Sequence, residues 1–128
     1  MASSPENNSA SSDILIIGFG AAGASAAIEA CTGGADVLVL ERASAGGGST
    51  AYSGGFVYLG GGTRVQKRCG FEDSPEEMFK FLMASTPEPD EEKIRMYCDD
   101  SVAHFEWLES QGVTFDDSFY PHKHFEHP

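Results

Sequence analysis

"DILIIGFGAAGASAAIEA", residues 13–30, sets four apolar residues, Ile14 to Ile17, directly before a glycine cluster and then continues in alanine-rich sequence. The apolar residues do not alternate with polar ones, the pattern of a strand buried on both faces of a parallel sheet. Gly18, Gly20 and Gly23 follow, and Ala21 to Cys31 is rich in a strong helix former, with Gly33 and Gly34 to end it. "ADVLVLER" supplies a second apolar run, Val37 to Leu40, closed by Glu41. Strand, glycine turn, helix and strand predict a βαβ unit with a right-handed crossover, and so an α/β fold.

The three glycines have separable purposes. A helix N-terminus presents unpaired N–H groups and about half a positive charge, and it binds phosphate where the backbone can approach without obstruction. Gly18 permits the tight turn, Gly20 the close approach, and Gly23 the contact between helix and strand. G-x-G-x-x-G alone arises by chance in glycine-rich loops. Here it follows a buried-type strand, opens a helix and precedes Glu41, whose carboxylate stands where it accepts hydrogen bonds from the hydroxyls of an adenosine ribose. A dinucleotide site is expected. Arg42 would suit a 2′-phosphate, but the neighbouring Glu41 carboxylate would repel one, which disfavours NADP.

FAD and NAD remain open at this point, and the next stretch bears on the choice. "AGGGSTAYSGGFVYLGGG", residues 45–62, is too dense in glycine for a long helix or strand, and a simple NAD domain would move on to another helix and strand. The region must approach something closely: "GGGST" and "SGG" within it would supply backbone N–H groups and hydroxyls to a second long stretch of cofactor, whereas a flexible glycine loop is the bland alternative.

Composition limits the rest. The chain has 128 residues, 8 Lys and Arg against 20 Asp and Glu, and a net charge of −12. One compact unit is the starting expectation. So little positive charge argues against nucleic acid and anionic membrane as partners. The longest apolar run falls far short of the roughly 20 residues that span a bilayer. Residues 1–12 read as a disordered tail without signal-peptide character. Cys31, Cys69 and Cys98 form no CxxC pair, so neither a disulfide framework nor a zinc site is implied, and reduced thiols point to the cytoplasm.

Further along, Ser74, Pro75 and Glu77 predict a capped helix from Pro75 to about Ser85, with Glu77 completing a capping box. Asp90 predicts the start of a longer one, Glu91 to about Gln111, on the spacing of Ile94, Tyr97, Cys98, Val102, Phe105 and Leu108. Phe56–Leu59 and Val113–Phe115 are brief strand-like pieces. Trp107 and the 9 phenylalanines are expected in the core. His122, His124 and His127 lie in an irregular tail with no second ligand cluster, so no metal is expected, and His104 reads as a packing residue.

"DILIIGFGAAGASAAIEA", "VLVLER" and "GGGSTAYSGG" together resemble the N-terminal part of the FAD-dependent fumarate reductase, succinate dehydrogenase and 3-ketosteroid dehydrogenase flavoproteins. "GGGTRVQKRCGFEDSPEEMFKFL" is more weakly similar to the ketosteroid-dehydrogenase-like branch. The resemblance implies a Rossmann-like FAD-binding domain, of which residues 13–128 are the N-terminal portion. It implies the FAD pyrophosphate beside Gly18, Gly20, Ala21, Ala22 and Gly23, and the adenosine ribose on Glu41 with Arg42 adjacent. Gly47, Gly48, Ser49 and Thr50 match the stretch beside the pyrophosphate and ribityl chain, and Ser53, Gly54 and Gly55 the segment near the flavin ring. Ser49 stands where the family often has asparagine; a hydroxyl still bonds there. Tyr120, before Pro121, is loosely similar to a substrate-loop tyrosine of ketosteroid dehydrogenases, and otherwise reads as an aromatic loop anchor.

The implied activity is hydride transfer between flavin and a carbon–carbon bond next to a carbonyl in a small molecule, steroid-like or another enone or dicarboxylate. No catalytic residue is named by the sequence. Family members have several hundred residues, so this chain looks like a fragment. Alone it is expected to expose apolar surface, to bind FAD weakly or not at all, and to lack dehydrogenase activity. The rivals are an NAD-binding dehydrogenase domain and a non-catalytic nucleotide-binding piece.

Overall fold

A computed structural model describes residues 10–121. Most of the tail at 1–12 and all of His122, His124 and His127 therefore lie outside the described residues. The chain divides into two compact units between Phe56 and Val57.

In the first unit, strand β1 (Ile14–Ile17) leads through the glycine turn into helix α1 (Ala21–Thr32), and strand β2 (Val37–Leu40) returns parallel to β1. The register pairs Ile14 with Val37 and Ile17 with Leu40. α1 begins where Gly20 leaves the helical region, and it ends at Gly33 and Gly34, the latter at φ +87°. Asp13 braces the mouth of the pair, accepting the Asp36 N–H at 2.9 Å. Gly48–Tyr52 forms one 3₁₀ turn. The apolar strands are not buried on both faces as their composition predicts: Leu15 is 54 % and Ile17 83 % exposed. A parallel sheet hides such side chains beneath helices and further strands, and among its described residues the first unit has two strands.

The second unit is helical. α2 (Arg64–Arg68) was not expected from the sequence. It is held by a reciprocal capping box in which Thr63 and Gln66 each accept from the other's backbone. α3 (Pro75–Ser85) and α4 (Glu91–Ser110) occur as their caps and spacing predict. Ser74 accepts from Glu77 N–H, but Glu77 turns its carboxylate to Lys80, so the box predicted there is only half made. α3 packs on α4, and Met78, Cys98 and Phe105 form the buried apolar core.

Two expectations are corrected. Phe56–Leu59 and Val113–Phe115 are not strands; a short apolar run becomes a strand only where a neighbour takes up its backbone hydrogen bonds. The aromatic residues are not collectively core. Phe105 is buried, whereas Phe19, Phe56, Phe71, Phe81 and Phe119 are exposed and Trp107 is half-buried. His104 is exposed and lies against the Trp107 ring.

Candidate functional site: a glycine cradle at the first helix

Three sequence-distant pieces of the first unit meet at the start of α1. The chain leaves β1 at Gly18, whose φ of +98° lies where side chains are rarely tolerated. A Cβ on Gly23 would overlap the Gly18 carbonyl oxygen and come within 3.5 Å of the Ile16 side chain. That position is glycine because the helix must touch the turn and the strand. Gly20 has an ordinary extended backbone, and a Cβ there would point toward Gly47 O at 3.6 Å and Thr50 Oγ1 at 3.8 Å. It keeps open the space between the two glycine loops.

The second loop is built onto the first. Gly47 N–H donates to Phe19 O at 2.6 Å, and Ala21 N–H donates to Thr50 Oγ1 at 3.2 Å. A Cβ on Gly48 would reach within 3.4 Å of Gly20 Cα, and one on Gly46 would strike the Phe19 ring. Between the loops lies a cavity of about 320 Å³ lined by Phe19, Gly20, Ala21, Ala24, Gly47 and Thr50, together with Ala51. None of these side chains is charged. The first intrahelical bond of α1 runs from Ala24 N–H to Gly20 O, so the amides of Ala22 and Gly23 lie in the turn that precedes any internal partner.

Glu41 closes the group. Its Oε2 accepts the Phe19 N–H and its Oε1 the Ala43 N–H, both at 2.7 Å. These bonds, that from Ala43 foremost and that from Phe19 next, hold its carboxyl below the usual carboxylate range, with the Arg42 charge a smaller contributor. A carboxylate offers about four acceptor positions. Two are taken by backbone, which leaves two for a vicinal diol.

Gly18, Gly20, Ala21, Ala22, Gly23, Glu41, Gly47, Gly48 and Thr50 thus belong to one assembly or its immediate turn. Arg42 and Ser49 are exposed beside it. Ser53, Gly54 and Gly55 follow the 3₁₀ turn on exposed backbone, where Gly55 N–H donates to Ser53 Oγ at 3.3 Å and Gly55 takes φ +75°. Sequence reasoning missed two couplings: Phe19, whose amide ties the phosphate-type loop to Glu41, and Thr50, whose hydroxyl ties the second loop to α1. The spacing between pieces carries no signal for either.

An uncharged cradle at a helix start, with an ionised carboxylate beside it, fits a nucleotide whose pyrophosphate meets backbone N–H groups and whose ribose meets Glu41. Among the described residues there is no cluster of three or more metal-ligating side chains, and no helix is long and apolar enough to cross a membrane.

The first unit sets two parallel strands and a helix against a glycine-lined cradle, and comparison gives the family. Residues 13–126 match the FAD binding domain family, and the chain belongs to it. It is 42 % identical over 106 residues to a 3-oxo-5-alpha-steroid 4-dehydrogenase of Comamonas testosteroni, covering 81 % of this chain and 19 % of that protein. It is 36 % identical over 105 residues to a vinyl phenol reductase of Lactiplantibacillus plantarum, covering 81 % and 21 %. The crystal structure of a 3-ketosteroid-Δ4-(5α)-dehydrogenase from Rhodococcus jostii, in complex with 4-androstene-3,17-dione, superposes with a TM-score of 0.80 at 57 % identity, over 85 % of this chain and 23 % of that one. The chain spans about a fifth of the length of these relatives.

Proposed function

We propose that this chain is the FAD-binding N-terminal portion of an oxidoreductase that transfers a hydride between flavin and a carbon–carbon bond next to a carbonyl. The observation that carries the reading is the convergence of the Gly18–Gly23 turn, Glu41 and the Gly47–Thr50 loop on one uncharged cradle. In this reading β1, α1 and β2 open a Rossmann-like domain spanning residues 13–128. The amides of Ala22 and Gly23 meet the pyrophosphate beside Ala21, whose own N–H is held by Thr50; Glu41 holds the ribose diol beside Arg42, and Gly47, Gly48, Ser49 and Thr50 follow the pyrophosphate toward the ribityl chain. Ser53, Gly54 and Gly55 stand on the flavin side.

When bound, FAD supplies the hydride acceptor or donor; the residues of this chain bind and orient it. The two relatives that act on steroids by name support a steroid-like or other enone substrate. The three cysteines, none in a disulfide, suit a cytoplasmic location.

NAD is the second reading, since the first turn and Glu41 would serve it equally. What favours FAD is the loop after β2, which packs on the cradle instead of leading directly to a third strand. Parallel titrations of the chain with FAD and NAD, followed by flavin fluorescence and by competition, test the choice. Saturable FAD binding that equimolar NAD does not displace is expected. Binding of NAD as tight as that of FAD, or displacement of FAD by equimolar NAD, would overturn it.

A further inference from the structure

The glycines of residues 45–62 are expected to let something approach closely, and what approaches differs from one to the next. In the second unit Gly61 and Gly62 take φ of +77° and +99°, and a Cβ on them would meet Pro75 and Asp73, so these two approach protein instead of a ligand. Gly46, in the first unit, is another case. Its φ is not positive, so the backbone would accept an alanine there. What excludes a side chain is Phe19: a Cβ on Gly46 would overlap Phe19 Cδ1 and stand 2.9 Å from Cε1. The ring occupies the place that a side chain at residue 46 would take.

Phe19 is held from three sides, all within the first unit. Its N–H donates to Glu41 Oε2 at 2.7 Å, its carbonyl accepts the Gly47 N–H at 2.6 Å, and its ring lies against Gly46. The first turn, the residue that ends β2 and the second loop therefore meet on one residue. Any residue at position 19 could make the two backbone bonds; the ring is what this sequence adds. It is 43 % exposed, so it contributes less burial than a core phenylalanine. It contributes a fixed surface beside the cavity that it lines with Gly20, Ala21, Gly47 and Thr50. The spacing it sets is tight, since a Cβ on Gly48 would already reach within 3.4 Å of Gly20 Cα.

We propose that Phe19 is a positioning residue of the cradle: its ring, seated on Gly46, fixes the second glycine loop at the spacing from the first turn that a ligand pyrophosphate requires. That the ligand is FAD rests on the reading above; the seating of the loop does not.

The test is a double-mutant cycle on the 128-residue chain: wild type, Phe19→Ala, Gly46→Ala and the double variant, with Phe19→Leu to carry the cycle if Phe19→Ala does not fold. Two readouts are taken, hydrogen-exchange protection of the Gly47 and Ala21 amides, which tie the loops together, and FAD affinity by titration. Protection at both amides is expected to fall about tenfold in each single variant while the interior of α1 is unchanged. The double variant should lose no more than Phe19→Ala alone, because the new methyl takes the place the ring vacates, and FAD affinity should follow the same order. Unchanged protection in folded single variants, losses that simply add, or coupled protection with equal FAD affinity in all four chains would overturn the proposal. Additive losses in chains that bind FAD would defeat the seat and spare the cofactor reading. Coupled protection in a chain that prefers NAD, its NAD affinity following the cycle, would support the seat and defeat the FAD reading.

Discussion

Glu41 performs two jobs with one carboxylate. It fastens the amides of Phe19 and Ala43, and in the proposed reading it receives the ribose. Glu41→Ala removes both, Glu41→Gln retains one acceptor oxygen, and loss of charge-assisted bonds weakens binding more than loss of neutral ones. FAD affinity is expected to fall roughly ten- to a hundredfold in the alanine variant and less in the glutamine variant. Equal affinity in all three chains by titration would remove the carboxylate from the ribose. Gly20 and Gly23 make a second contrast. A Cβ on Gly23 overlaps the Gly18 carbonyl, so Gly23→Ala should destabilise the first unit by about 1–3 kcal/mol, the usual range for overpacking. Gly20→Ala meets only ordinary contacts, and Gly20→Val fills the space between the loops; a folded Gly20→Val chain that does not bind FAD is expected. Circular dichroism with FAD titration separates the two cases. The glycine spacing therefore carried more than a motif in the sequence, because each omission has its own steric reason. The Phe19–Glu41 and Thr50–Ala21 bonds were illegible, since they join residues whose proximity exists only once the loops have folded.

At the scale of elements, β1, α1, β2, α3 and α4 were legible because each has a local cause: an uninterrupted apolar run, a glycine stop, a serine or aspartate cap. α2 was not read, since five residues are too few for periodicity. Its signal was nevertheless present in "TRVQ", the capping box that Thr63 and Gln66 close. Thr63→Ala should lower the stability of the second unit by about 1 kcal/mol, within the range for buried caps, as a shift in urea midpoint at constant slope. The same network gives a pH dependence. Burial pushes the Asp73 carboxyl up, but the bonds from Gln66, Gly61 and Ser74 together outweigh it and hold the group below its ordinary value. A depressed folded pKa contributes stability that is present above the unfolded pKa, near 4, and is lost as pH falls through the folded one. The helical unit should therefore lose stability on acidification below about pH 4, and Asp73→Asn should flatten that part of the profile. A variant with the wild-type acid slope would show that Asp73 does not drive it.

For the whole molecule, the mismatch between composition and exposure is itself informative. Ile14–Ile17 and Val37–Leu40 have the uninterrupted apolar character of strands covered on both faces, yet Leu15, Ile17 and Leu40 are 54 %, 83 % and 49 % exposed. A sequence reports the environment its residues require, not how much of that environment a given chain supplies, which is why burial was the least legible property here. Two-stranded sheets are marginal by themselves. Even so, the turn, α1 and the second loop are tied to one another by bonds internal to the first unit, so the cradle has its own means of forming. The 128-residue chain is accordingly expected to bind a hydrophobic dye, to associate at high concentration, to bind FAD weakly at most, and to show no dehydrogenase activity. Exposed apolar strand edges and faces promote association, and the weak binding follows from a cradle whose supporting sheet is free to fray. Gel filtration with absorbance at the flavin band decides the matter. A monodisperse, yellow, dye-silent monomer that reduces its flavin with a steroid substrate would show that the two strands and four helices of the described residues suffice, and that the apolar faces of β1 and β2 need no cover.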